Sequence, residues 1–175
     1  MDVRSLDDLG LLDEVEETGD TFAANAMLKA RACACASGLI TLADDSGLEV
    51  AALHGGPGVH SARWAGPDVS SAERNRRLLQ RLDAIPGASR VARFVSVVAV
   101  YRPDGAWVVA LGDLFGSIAA APRGSNGFGY DPIFLLPDRD CTLAELTPEE
   151  KNALSHRSRA LAAMLPFLPT LLPSK

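Results

Sequence analysis

Apolar positions along the chain repeat with helical spacing in some stretches and with strand spacing in others. From Thr21 to Ser37 the segment TFAANAMLKARACACAS is built of good helix formers, opens on a Thr able to cap it and stops at Gly38. On that helix Phe22, Ala26, Ala30 and Cys33 make the apolar face, and Thr21, Asn25 and Lys29 form a polar stripe along its edge. LITLA, 39 to 43, reads as a short buried strand that ends at the acidic pair after it. The long connection HGGPGVHSARWAGP is too rich in turn residues for regular structure, although Val59, Ala62 and Trp64 predict an ordered loop. Ser70 and Glu73 have capping-box spacing and open an amphipathic helix to about Asp83. VARFVSVVAVY and AWVVALG flank Pro103-Asp104-Gly105 and predict an antiparallel hairpin, its first strand apolar on both faces and therefore central. Pro132 to Leu136 is a further short strand, and Thr147-Pro148-Glu149-Glu150 starts another helix. The alternation predicts one α/β (mixed α+β) domain spanning 1–175 with a mixed sheet.

Composition narrows the function. With 175 residues, 47% hydrophobic and 22% charged, the chain can bury a proper core. A net charge of −5 offers no global field for a nucleic-acid backbone, so an anionic ligand must be held by a few local cations or a metal. The most apolar segment, Leu161 to Leu172, is short and broken by Pro166 and Pro169, so it does not span a bilayer. The N-terminus carries no signal-peptide core, and the expected compartment is the cytoplasm. Cys33, Cys35 and Cys141 are odd in number and read as small buried apolar residues.

Four polar clusters could carry chemistry. In ADDSGLEV, Asp44 and Asp45 should project to opposite faces if the strand continues, so one of them shares a site with a given partner; the alternative is a plain Asx turn. Glu16 and Glu17 precede the first helix, where an acid either stabilises the helix end or joins a second acid in holding a hard cation. If these acids converge with Lys29 and Lys151, magnesium carrying phosphate oxygens is the cation that suits them. GSNGFGYDP sets aromatics among glycines, either as a connector or as a ring face for a flat base, and fits neither the dinucleotide nor the Walker spacing. Lys151, His156 and Arg157 would fan around one unbroken helix, so some face solvent or the helix restarts near Ser155.

Together EETGDTFAANAMLKA, LADDSGLEVAALHGGPGVHSARWAG, GSNGFGYDPIF and AELTPEEKNALSHRSRAL resemble the inosine/xanthosine triphosphate pyrophosphatases, the Ham1-like family, in the family's order from Glu16 to Leu161. The resemblance implies two lobes around a long mixed, twisted sheet, a nucleotide cleft between them and a homodimer. It also implies magnesium-dependent hydrolysis of ITP, dITP and XTP to monophosphate and pyrophosphate. Glu17 and Asp45 match the metal-binding acids, and Asp45 matches the general base. Lys29 and Lys151 match phosphate-side lysines, while Ser46, Phe128, Gly129, Tyr130, Asp131, His156 and Arg157 match positions lining the nucleoside. Nothing in MDVRSLDDLGLLDE matches the strand and Ser/Thr-x-Asn-x-x-Lys loop with which family members begin. The expectation is therefore a chain shortened relative to the family, with a nucleotide-binding protein that lacks turnover as the alternative to an enzyme.

Overall fold

The computed structural model describes residues 2–11 and 15–171; Leu172, the end of the apolar C-terminal segment, and residues 12–14 of the N-terminal stretch lie outside them. Helix α1 (Phe22–Ser37) is capped by the Thr21 hydroxyl, which accepts from the Ala24 N–H at 3.1 Å, and it ends where Gly38 turns left-handed at φ 69°. Its buried face is Phe22, Ala26 and Ala30, completed by Ala34 and by Asn25. Cys33 and Cys141 are half-buried, Cys35 is exposed, and all three are free thiols, so the reading of these cysteines as buried core residues is corrected. On α1 the buried position falls to Ala34 rather than Cys33, while Cys141 packs against the core from its margin.

Strand β1 (Thr41–Val50) runs straight through Asp44-Asp45-Ser46-Gly47 rather than ending at Ala43. The turn preference of those residues is overridden because β1 pairs along its whole length with β2 (Val91–Tyr101), an apolar strand in the middle of the sheet. β3 (Trp107–Ile118) follows by the predicted hairpin, and β4 (Phe134–Leu136) and β5 (Cys141–Thr142) complete a five-stranded sheet in sequential order. Every pairing among the described residues is antiparallel, which corrects the expected mixed sheet. The excursion from β1 through helix α2 (Ser71–Asp83) leaves at Val50 and returns at Val91, beside it, so no parallel crossover forms. Ser70 caps α2 by accepting from the Glu73 N–H, but the Glu73 carboxylate turns to Arg76 and Arg77, so the reciprocal half of the predicted capping box is absent.

The two faces of the sheet are covered differently. α1 lies on one face, where Phe22, Ala26 and Ala30 pack on Val95, Val97 and Ala99. The other face carries two cores. One joins α2 and the β4–β5 region to Leu48, Phe94 and Leu114. The second joins helix α4 (His156–Met164) to Val98, Val100 and Ala110. Between them the cross-strand row is small, Ser46 opposite Ser96 opposite Gly112, and Gly112 lets the α4 backbone approach the sheet, since a Cβ there would lie 2.3 Å from His156 O.

The loop from His54 to Pro67 is ordered because it finishes the edge of β1. Val50 N–H donates to Gly56 O at 3.0 Å, and Leu48 N–H donates to the Ser61 hydroxyl at 2.8 Å. This close approach needs Gly47, since a Cβ there would lie 2.5 Å from Gly58 O and 2.6 Å from Ser61 Oγ. Gly47→Ala is therefore expected to lower stability by about 1–3 kcal/mol, the usual cost of overpacking. Urea unfolding of the two proteins measures it; an unchanged midpoint would show that the loop yields without loss.

Candidate active site

The α1 face of β1 carries an ionic cluster. Alternation along the strand points Asp45 beneath α1, where Lys29 Nζ lies 3.2 Å from its Oδ1 and Asn25 Nδ2 lies 3.2 Å from its Oδ2. Lys29, one turn beyond Asn25 on the same stripe, also donates to Glu17 Oε1 at 2.8 Å. Arg63, from the loop over the β1 edge, donates to Glu17 Oε2 at 3.0 Å. Partial burial works against charge on Glu17, but Lys29 and Arg63 outweigh it and hold the carboxyl below its ordinary value. Burial prevails at Asp45 and pushes its carboxyl up, with the Glu17 charge adding to it against Lys29 and Asn25. The Lys29 ammonium, although half-buried, is held above its ordinary value by the Glu17 hydrogen bond and both carboxylate charges.

The opposite face of β1 carries Asp44 and Ser46. Asp44 Oδ2 accepts from Arg157 Nε at 3.0 Å and from the Ser46 hydroxyl at 2.9 Å, and Ser46 also reaches Ser96 at 3.0 Å. Burial opposes the Asp44 charge, yet Arg157 keeps its carboxyl below the usual value. The two neighbouring acids thus make separate hydrogen-bond networks, although the Lys29 charge also helps hold the Asp44 carboxyl down.

Arg157 and His156 begin α4, because helix α3 (Pro148–Leu154) stops and Ser155 caps a new start, its hydroxyl accepting from the Ser158 N–H at 3.1 Å. The restart aims both side chains at one place, which an unbroken helix would not. His156 is 5% exposed and stacks on Phe94 with ring centroids 4.7 Å apart and planes 9° from parallel. Its Nδ1 is buried with no protein partner. Burial, then the charges of Arg157 and Lys151, push the imidazole pKa down to about 3, so it is neutral at pH 7.

His156 and Arg157 line a cleft of about 420 Å³ with Phe128, Leu146, Lys151 and Leu161. The Phe128 ring is 62% exposed, with Lys151 Nζ 4.4 Å and Arg157 Cζ 5.2 Å from its centroid. A large exposed ring beside two cations is a platform for a flat anionic ligand. Asp131 shapes it from below, its Oδ2 accepting from the Phe128 N–H at 2.6 Å and from the Lys151 ammonium.

Of the residues singled out in the sequence, Glu17, Lys29 and Asp45 come together on one face, and Ser46, Phe128, Asp131, His156 and Arg157 gather on the other. Lys151, expected to converge with the acid pairs, is tied to Asp131 beside Phe128 because α3 docks over the cleft rather than toward α1. Tyr130 is a core residue, 4% exposed, its hydroxyl donating to Ser61 O at 2.9 Å and its pKa pushed by burial to about 12. Gly129 contributes its carbonyl to Asn75 Nδ2 at 3.0 Å, which anchors the loop behind Phe128. Asn25 and Arg63 were not assigned to the site from the sequence. Asn25 had a signal in its place four residues before Lys29 on one stripe, whereas Arg63 depends on how the loop folds back.

Among the described residues no three His, Cys, Asp or Glu side chains gather as an all-protein metal cage. Two carboxylates sharing one cation, here the Lys29 ammonium, do fit a hard divalent ion whose remaining ligands are phosphate oxygens and water.

A sheet packed between helices, with acids and a lysine on one face of its edge strand and an aromatic, cationic cleft on the other, defines a mixed α/β protein with a candidate ligand cleft. The chain matches the Ham1 family over residues 1–167. A dITP/XTP pyrophosphatase of Symbiobacterium thermophilum is 55% identical over 159 residues, covering 91% of this chain and 79% of the relative. One of Mycobacteroides abscessus is 51% identical over 171 residues, covering 98% and 83%. The solved structure of the Staphylococcus aureus Ham1 protein superposes with a TM-score of 0.88 at 43% identity, covering 95% of this chain and 86% of that one. The chain belongs to the Ham1 family.

His156 gives the site a pH signature. Its folded pKa of about 3 lies below the ordinary 6.5, so between those values the unfolded chain binds a proton that the folded chain refuses. Stability should fall as pH is lowered from 6.5 toward 3. Melting temperatures of the wild type and His156→Gln between pH 6.5 and 5 check this: the decline should be shallower in the variant, and parallel curves would refute it.

Proposed function

We propose that this protein hydrolyses the non-canonical purine nucleoside triphosphates ITP, dITP and XTP to the monophosphate and pyrophosphate, clearing them from the nucleotide pool. The observation that carries the reading is the opposite orientation of Asp44 and Asp45: an acid–lysine cluster on one side of the strand, suited to metal and phosphate, and an aromatic, cationic cleft on the other, suited to a base. The names of relatives at about half identity support it, two of them dITP/XTP pyrophosphatases.

In this reading Glu17 and Asp45 hold magnesium, which when bound offsets the charge of the triphosphate and polarises the α-phosphorus. Asp45 orients the attacking water; positioning matters more than basicity for a carboxylate working near neutral pH. Lys29 exchanges its carboxylate partners for phosphate oxygens, and Lys151 meets the ligand from the Phe128 side. Phe128 stacks on the base, Ser46 and Asp131 border the nucleoside, and Gly129 and Tyr130 support the loop from behind. Arg157 donates to a 6-oxo group, and neutral His156 forms the cleft wall beside it. An adenine amino group facing Arg157 would leave donor against donor, and a buried mismatch of that kind discriminates strongly.

The working form is a homodimer. Trp107, Leu111 and Phe115 stand 60%, 55% and 61% exposed on one face of β3, an apolar strip interrupted by Asp113 between Leu111 and Phe115. The three unpaired thiols suit a reducing compartment, in accord with the cytoplasm, and among the described residues no helix is long and apolar enough to cross a membrane.

Asp45→Asn should abolish pyrophosphate release from ITP with magnesium while keeping the melting temperature within a few degrees; an active variant would remove Asp45 from the chemistry. The wild type should turn over ITP far faster than ATP, and equal rates would defeat the proposed base selection. Light scattering should show the wild type as a dimer and Leu111→Glu/Phe115→Glu as a monomer, whereas a dimeric double variant would place the interface elsewhere.

A further inference from the structure

The Asn25 side chain is completely buried beside the acid cluster. Its Oδ1 accepts from the Gly19 N–H at 2.8 Å and its Nδ2 donates to Asp45 Oδ2 at 3.2 Å. These two bonds allow one amide orientation, because a flipped amide would set donor against donor at Gly19 and acceptor against acceptor at Asp45. The backbone is pressed close here, since a Cβ on Gly19 would lie 2.7 Å from Asn25 Oδ1. One amide therefore links Asp45 to the irregular segment that carries Glu17.

Its neutrality is what sets Asn25 apart from the other partners of the two acids. Lys29 and Arg63 hold the carboxylates by charge, and any divalent ion or triphosphate entering the cluster competes for both partners of those pairs. An amide restrains a carboxylate without cancelling its charge and has no electrostatic reason to leave when phosphate arrives. It holds Asp45 Oδ2 against α1 and leaves Oδ1 to Lys29, the ammonium that Asp45 shares with Glu17.

We propose that Asn25 is a positioning residue that fixes the Asp45 carboxylate and its register with Glu17, so that both acids are presented together to a divalent ion and phosphate. The inference rests on the triphosphate-hydrolase reading of this site. A structural role alone, tethering the first turn of α1 to Gly19, is the competing explanation, and two substitutions separate them. Asn25→Ala removes both bonds. Asn25→Asp keeps the size and the acceptor for Gly19 but sets an oxygen against Asp45 Oδ2.

The test is steady-state ITP hydrolysis with magnesium, with crystal structures of both variants and melting curves to follow the fold. Asn25→Ala is expected to lower kcat by about 10- to 100-fold, as loss of a residue supporting a metal ligand commonly does, with KM within about threefold. Asn25→Asp should be at least as slow, although it retains the tether. An Asn25→Asp enzyme near wild-type rate, or an Asn25→Ala enzyme with unchanged kcat, would overturn the proposal. In the Asn25→Ala crystal the Asp45 carboxylate should be rotated from its wild-type position, and an unmoved carboxylate would equally overturn it. If the wild type releases no pyrophosphate, the hydrolase reading falls, and the Asp45 rotation in the crystals still decides whether Asn25 holds that side chain.

Discussion

The site depends on β1 staying extended through its acidic pair. In a strand, neighbouring side chains leave on opposite faces, so Asp44 and Asp45 can stand next to each other in sequence and yet serve separate ionic networks. Had the chain turned at Asp44, as its composition favours, both carboxylates would compete for the same cations. The long apolar β2 prevents this by pairing with β1 from Thr41 to Val50. A central strand built for burial thus decides which way its neighbour's acids point.

Electrostatics on the two faces differ in kind. Beneath α1 two acids share one lysine at short range, and burial raises the carboxyl of Asp45 while Glu17 stays depressed. With Arg63 on Glu17 as well, two carboxylates and two cations balance in this cluster, so an incoming cation would have to displace Lys29 or Arg63. Across the strand Arg157 and Lys151, each paired with one carboxylate, flank an exposed Phe128 and a buried imidazole kept neutral. A ligand bearing a phosphate tail and a flat head complements both halves only if it passes β1. The edge of that strand is finished by the 54–67 loop at its Val50 end, where Ser61 receives Leu48 N–H on its hydroxyl and Tyr130 on its carbonyl. The same loop brings Arg63 to Glu17, so one irregular segment braces both halves.

Much of this was legible in the chain. Helix α1, its Thr21 cap and Gly38 stop, the hairpin around Pro103-Asp104-Gly105 and the cap at Thr147 follow from local chemistry that acts within a few residues. The pairing of Glu17, Lys29 and Asp45 and the restart of the last helix at Ser155 could be anticipated from spacing and from family likeness. The all-antiparallel sheet could not, because strand direction is set by where a connection returns rather than by the residues in the strand. The length of β1 was hidden by a local turn preference that its partner overrides.

Periodicity and capping are near-neighbour physics, so the order of residues already fixes most elements, their caps and the polar residue types on offer. Which of those residues meet is settled by how the elements pack. That packing sent Lys151 to Asp131, sank Tyr130 into the core, brought Arg63 to Glu17 and placed Asn25 between Gly19 and Asp45. These outcomes depend on packing between segments far apart in the chain, where burial and hydrogen-bond satisfaction, not local preference, select the partner.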